Sequence, residues 1–548
     1  MNKKNIVVVG GVAGGMSFAT RYRRLNQNDN IIVLDKGPYV SFANCGLPYY
    51  ISKEIEQRKD LLVTTKEELK AKFNLDVRVE HEVIKINKEE KNIEVKVANK
   101  IEIIEYDELV LSLGAKPIYL DIEGSETHGG IFTLRNIPDV DKITDYIDNT
   151  KPKSAIVIGA GFIGLEMAES LKNRGLKVSV IEKSKQVLAP LDIEMAKFAE
   201  NELIDKGVEV YTDTSVIKFD GKKSILEDGT ELDADLVIMS IGVLPDTGLL
   251  KDAKIALGMR GGIAVDDKFQ TSEKHIHAVG DAIIVKNPID KKDTMIALAS
   301  PANRQGRQLA DILSGLNKSN KGSIGTSIVR IFDLTFASTG LNEKQLDGFD
   351  YKVIHLVAND HAGYFPNASS IHLKVIYDNK TRLILGAQGF GKKGVDKRID
   401  ILATAIKSNY LVDDLQDLEL AYAPPFGSAK DIINMAGYAA ENQKLKISQS
   451  IQWYELEETL KDAQLVDVRP ENVHNAGHIT GAINIPLTQL TNRLDEISKD
   501  KKVIVSCQTS VTSYNAERIL RNLGYDVYNL DGGYSYYSVI VPQGITRS

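Results

Sequence analysis

The chain has 548 residues, 43% of them apolar and 26% charged, with a net charge of −7, which is length enough for three or four domains. The acidic balance leaves no basic footprint for nucleic acid, and no apolar run approaches the roughly 20 residues that span a bilayer. Two distant cysteines, Cys45 and Cys507, and nine scattered histidines argue against a disulfide-stapled scaffold or a metal centre and fit a reducing cytoplasm. The opening MNKKNIVVV enters its first strand with no signal-peptide h-region before it.

In chain order, NIVVVGGVAGGMSFATRYRRL predicts a buried strand, a glycine turn and a helix, and IIVLDKG a second strand ending in Asp35. Gly10, Gly11, Gly14 and Gly15 let backbone approach a pyrophosphate, and Asp35 is placed for a ribose hydroxyl pair, with Val12 in the usual middle-glycine slot. Cys45 follows in SFANCGLPYY. A thiol with no nearby mate must exchange with a small-molecule thiol, a second subunit or the other cysteine. YDELVLSLGAKP then ends a strand at Ser112 and Gly114. A second, cleaner glycine turn, SAIVIGAGFIGLEMAESL, carries Gly159, Gly161 and Gly164, and Glu182 ends its next strand. An acid there favours NADH over NADPH, although Lys183 and Lys185 oppose that preference and leave the choice open. HIHAVGDA sets Asp281 beyond a further strand.

Two nucleotide folds in series, with these segments in this order, resemble the flavoprotein disulfide reductases over residues 1 to 440. The resemblance implies FAD in the first fold, where Asp281 would bond the ribityl chain, and NADH or NADPH in the second. Most of that superfamily carries a CxxxxC pair, whereas this chain has Cys45 alone. SFANCGLPYY, LASPANRQGR, GTSIVRIFDLTFASTG, HAGYFPNA, GVDKRIDILATAI and AYAPPFGSAKD are similar to the single-cysteine branch that contains the coenzyme A-disulfide reductases. There the cysteine alternates between a thiolate and a mixed disulfide with coenzyme A. A thiolate needs a lowered pKa, and Ser41 and Asn44 stand beside Cys45 to contribute. The resemblance also puts Ser41 and Asn44 in the coenzyme A contact region, and it supports Arg24, Asn303 and Lys430 most directly as coenzyme A contacts. Arg21, Arg304 and Arg307 add cations for its phosphates. It assigns the proton donor for the departing thiolate to Tyr364 and Tyr422 of a partner subunit, with Phe365 in place of the second tyrosine of the usual HAxYYP segment.

From KLKISQSIQ onward the pattern becomes a small α/β unit: AQLVDVRP, GHITGAINIPL, KKVIVSCQTSVTSYNAERILRNLGY and VYNLDGGYSYY. These segments resemble a rhodanese domain, in which a cysteine after a strand carries a persulfide in a six-residue loop opening a helix. Cys507 takes that place. The usual CxxGxR loop is altered, with Ser510 for the glycine and Thr512 for the arginine, which predicts strain if the site needs positive φ and a weaker hold on anionic sulfur donors. Asp467 and Arg469 read as a pair that pins a strand end.

The expected fold is α/β: an FAD-binding Rossmann-like domain (1–115 and 252–325), an NAD(P)H-binding one (116–251), an α+β dimerisation domain (326–443) and a rhodanese-like domain (447–548). The expected protein is a homodimeric reductase of coenzyme A disulfide, coenzyme A persulfide or polysulfide, acting on a small molecule and not on nucleic acid or membrane. Two rivals stand beside it: an NADH oxidase cycling through a sulfenic acid, and a redox sensor or sulfur carrier charged with coenzyme A.

Overall fold

Ile6, Val7 and Val8 are wholly excluded from solvent, and a strand apolar on both faces belongs inside a parallel sheet with both sides covered. In the computed structural model, which describes residues 3–547, Asn5–Val9 is the central strand of such a sheet. The order is Ile276–Ala278, Glu108–Leu111, Asn5–Val9, Asn30–Leu34, Asp76–Arg78, with the pairings parallel. The strand at 276–278 returns from far along the chain to complete it. A second parallel sheet runs Glu209–Thr212, Lys177–Glu182, Ser154–Ile158, Leu236–Met239, Ile131–Phe132. Helices Ala13–Leu25 and Phe162–Asn173 leave the central strands of the two sheets.

Chain contacts divide the molecule into two units, one running up to Lys185 and resuming at Gly207–Gly325, the other combining Gln186–Lys206 with the chain from Thr326 onward. The second unit holds an antiparallel sheet in the order Ser327–Ile331, Leu334–Gly340, Ile384–Gly391, Ser370–Asp378, Tyr351–Asn359. It also holds the tail, whose parallel sheet runs Ser450–Ile451, Val527–Leu530, Lys502–Ser506, Ala463–Asp467, Ile483–Asn484.

Gln186–Lys206, inside the expected span 116–251, groups by its contacts with the second unit, and the contacts are electrostatic. The ammonium of Lys374, with no exposed surface, lies 2.8 Å from Asp192 and also against Glu194 and Glu343. His355 bridges Glu194 at 3.2 Å and Asp531 of the tail at 2.9 Å. A buried ammonium is tolerable only with such partners, so the helix Ile193–Asp205 is held by the acids at its start. The linker into the tail is seated as well: Glu517 accepts hydrogen bonds from the Ser448 hydroxyl (2.5 Å) and the Gln449 N–H (2.7 Å). Arg518 donates to the Ile447 carbonyl. No helix among the described residues is long and apolar enough to cross a membrane.

Candidate active site

The two glycine turns are built alike. Asp35 accepts from the N–H groups of Gly11 (2.9 Å) and Gly37 (2.8 Å), and Glu182 accepts from those of Ala160 and Ser184 (both 2.8 Å). Each acid thereby ties the end of the second strand to the turn. A Cβ at Gly15 would run into the Gly10 carbonyl oxygen, and one at Gly164 into that of Gly159, so only glycine lets either helix start so close to its strand. Neither helix has a side-chain cap or an acid in its first turn, which leaves its N–H groups directed at an anion.

These residues fit a flavin dinucleotide in the first turn. Asp281 is the sharpest sign: burial pushes its carboxyl up, the Arg135 charge opposes this, and no described residue hydrogen-bonds it. An acceptor so placed suits the hydroxyls of a bound polyol chain. Burial likewise pushes Asp35 up against its two N–H donors.

Cys45 sits in a 3-10 turn, Asn44–Gly46, that leads into the helix Leu47–Ile51. Its segment is stitched to the glycine turn, because the Ser41 N–H donates to the Gly11 carbonyl at 2.9 Å, with Ser41 at φ 47°. The Asn44 amide donates to the Arg135 carbonyl at 3.3 Å, and Tyr49 donates to Glu166 of the second nucleotide fold at 3.1 Å. The thiol is exposed and bonded to no other sulfur. The expectation of a lowered pKa is corrected here: partial burial, then the charges of Glu166 and Asp281, push the Cys45 thiol up. The charged neighbours acting on it among the described residues, Glu166 and Asp281, are both negative.

Sequence reasoning missed Glu166 and Arg135. Glu166 was legible as the acid two residues after Gly164; Arg135 had no motif to mark it.

The four arginines proposed for phosphate fall on two helices, Ala13–Leu25 and Ala299–Leu313. Arg21 is committed to Asp311 at 2.7 Å, Arg24 lies 4.9 Å above the Phe73 ring, and Arg304 donates to the Gly322 carbonyl at 3.0 Å. Arg307 is exposed. Asn303 accepts from Ser17 and donates to the Ala299 carbonyl. Lys430 is exposed in the second unit.

Tyr364 and Tyr422, 58 residues apart, meet with their hydroxyls 3.1 Å from one another. Both rings are exposed, Tyr364 by 77%, and the hydrogen bond between them pushes the Tyr364 phenol above the ordinary tyrosine value. The Ala362 N–H donates to the Pro424 carbonyl at 3.3 Å, zipping their two loops together.

In the tail, Cys507 follows the strand Lys502–Ser506 and Gln508–Ser510 separate it from the helix Val511–Asn522, so the last two residues of the expected six-residue loop, Val511 and Thr512, are already in the first helical turn. The thiol is 2% exposed and accepts from the Ser513 hydroxyl at 3.2 Å. Ser510 has φ 70°, the left-handed conformation the missing glycine would have suited, and its hydroxyl donates to the Leu530 carbonyl at 2.9 Å. Gly533 (φ 60°) closes the loop from the other side; a Cβ there would come within 2.6 Å of the Cys507 carbonyl oxygen. Asp467 and Arg469 form the buried pair expected of them, at 2.7 Å, and Arg469 also holds Gln508 of the loop.

The family model of the pyridine nucleotide-disulphide oxidoreductases matches residues 4–306 and that of their dimerisation domain 326–431, with a rhodanese-like domain over 452–539. The chain belongs to the pyridine nucleotide-disulphide oxidoreductases. Within them it is 38% identical to a coenzyme A disulfide reductase of Staphylococcus haemolyticus and 37% to one of Staphylococcus aureus, over 80% of this chain and 100% and 99% of those proteins. It is 48% identical, with a TM-score of 0.98 and full coverage of both chains, to the crystal structure of reduced Bacillus anthracis CoADR-RHD. A NAD-dependent persulfide reductase from A. fulgidus matches at 36% identity and TM-score 0.92, over 97% of this chain and all of that one.

Proposed function

We propose that the protein is a homodimeric, cytoplasmic NAD(P)H-dependent flavoenzyme that reduces coenzyme A disulfide or coenzyme A persulfide through Cys45. The observation that carries this reading is a solitary, exposed thiol stitched by Ser41 to the first nucleotide turn. Within the proposed spans, the flavin would be held by the turn at Gly10–Gly15 with Asp35, Ser112, Gly114 and Asp281, and the nicotinamide dinucleotide by Gly159, Gly161, Gly164 and Glu182. When bound, FAD relays the electron pair of the reduced nicotinamide to sulfur.

The Cys45 thiolate attacks one sulfur of the substrate, forming a Cys45–coenzyme A disulfide and expelling a coenzyme A thiolate, or hydrosulfide from a persulfide. The Tyr364–Tyr422 pair of the partner subunit supplies a proton to a departing thiolate. Two electrons then cleave the mixed disulfide, returning Cys45 as thiolate and releasing coenzyme A. Each turnover of the symmetrical disulfide thus consumes one reduced nicotinamide and one proton and yields two thiols. Arg24, Asn303, Arg304, Arg307 and Lys430 supply contacts to coenzyme A, with Ser41 and Asn44 near its sulfur, whereas Arg21 serves the pairing of its helix with Asp311. Cys507 handles sulfane sulfur, in a loop without the cation that would hold thiosulfate.

Intact-mass analysis of the unreduced enzyme tests the reading. A coenzyme A-sized adduct that reductant removes and that maps to Cys45, together with loss of disulfide-dependent nicotinamide oxidation in Cys45→Ser, is the expected result. An adduct elsewhere, or oxidation that persists in Cys45→Ser, refutes it.

A further inference from the structure

The geometry points to Arg398 as the residue that positions the Tyr364–Tyr422 pair, an inference that rests on the proposed role of those tyrosines. Arg398 lies on the helix Val395–Lys407, is 2% exposed and touches neither phenol. Its guanidinium reaches both of their loops. One nitrogen, Nη2, donates to the Asp360 carbonyl at 3.0 Å and to the Asp431 carboxylate at 2.7 Å. Nε donates to the other Asp431 oxygen at 3.3 Å, and Nη1 to the Gly394 carbonyl at 3.1 Å.

Both acceptors are loop anchors. Asp360 begins the loop that carries Tyr364 and closes it on itself: its N–H donates to the Ser369 carbonyl and its carboxylate accepts from the Ser369 N–H, each at 2.8 Å. Asp431 ends the loop that carries Tyr422, where it caps the helix Ile432–Lys444 by accepting from the Ile433 N–H at 3.1 Å. A Cβ added at Gly427, in the Tyr422 loop, would lie 4.0 Å from the Arg398 Nη2 and 3.9 Å from the Asp431 carboxylate. A planar fork that bonds an anchor of each loop fixes their separation in a way a point charge cannot. Both tyrosines are exposed, so the contact of their hydroxyls depends on how their loops are held: by the Ala362–Pro424 bond near their tips and by the spacing of the anchors at their ends.

Removing Arg398 alone would strand the buried Asp431 charge and endanger folding. The test therefore neutralises both partners: Arg398→Met with Asp431→Asn, the asparagine keeping the helix cap. In the FAD-loaded, full-length protein, the expected result is unchanged flavin reduction by NAD(P)H and turnover of coenzyme A disulfide lowered about ten- to a hundred-fold, as for misplaced reacting groups. Tyr364→Phe, costly in the native background, should then cost less than about twofold in the double variant, because the pair it disrupts is already apart. A second readout needs no turnover: the Tyr364 phenol, followed by NMR of ring-labelled tyrosine, should titrate above the ordinary value in the native protein and return to it in the double variant. Equal cost of Tyr364→Phe in both backgrounds, or a Tyr364 titration the double variant leaves unmoved, overturns the inference while the tyrosine role stands. If Tyr364→Phe and Tyr422→Phe are harmless in the native background, the tyrosine role falls, and the titration alone decides whether Arg398 positions the pair.

Discussion

At Cys45 the protein works against the state its chemistry needs. Burial and the carboxylates of Glu166 and Asp281 favour the thiol. Glu166→Gln removes one of the two negative charges, lowers the Cys45 pKa and raises the thiolate fraction at neutral pH. The expected outcome is alkylation of the coenzyme A-free enzyme by iodoacetamide that is several-fold faster at pH 7 and converges with the native rate at high pH. An unchanged pH profile would mean that Glu166 does not govern the thiol. The sequence made Cys45 legible, since a lone cysteine after a nucleotide turn has few uses. It hid the charges around it, which arrive from residues more than a hundred positions away.

Among the elements, the loop between Cys507 and the helix Val511–Asn522 shows what one substitution in a motif costs and what offsets it. Holding a non-glycine residue at φ 70° costs roughly 1–2 kcal/mol, and the hydrogen bond from the Ser510 hydroxyl to the Leu530 carbonyl returns about 1 kcal/mol. Ser510→Ala keeps the strain and loses the bond, and is expected to destabilise the tail by about 1 kcal/mol. Ser510→Gly loses both and is expected to be close to neutral. Denaturant midpoints of the tail transition in the full chain measure the difference; equal losses in the two variants would contradict it. The altered loop was readable from Ser510 alone, because only a handed backbone position cares about a missing glycine.

Arg398 left a similar trace that composition does not reveal. It lies three residues after Val395 and four before Leu402, on the apolar stripe of its helix, and a charge on that stripe has to find buried partners. Which partners it finds depends on loops that no periodicity describes. The parallel strands, by contrast, announced themselves as unbroken apolar runs, and both Rossmann-like turns followed from glycine spacing.

For the molecule as a whole, the excursion Gln186–Lys206 and the tail are held by one buried ionic group, and that makes their hold pH-dependent. Burial works against the charged form of His355, but Asp531, then Glu194, lift it to about 9. A raised pKa contributes stability that is complete below the ordinary histidine value near 6.5 and is lost as pH rises through about 9. The cost of His355→Gln, measured by denaturant midpoint, should therefore be largest at pH 6 and shrink by about 3 kcal/mol as pH passes 9. Glu194, which Lys374 and His355 hold down at about 2 against its burial, stays charged throughout that range. Lys374 is raised in turn by Glu194, Asp192 and Glu343, and His372, lowered by burial to about 4, stays neutral. A pH-independent cost would remove His355 from the hold.

The seated linker bears on traffic. With Ser448 and Gln449 bound to Glu517, Ile447 held by Arg518 and His355 bonded to Asp531, the tail is fastened within the second unit at both its linker and its sheet. If Cys507 carries sulfane sulfur as proposed, a tail so fastened would hand it on by way of a diffusing carrier, and delivery would scale with that carrier's abundance.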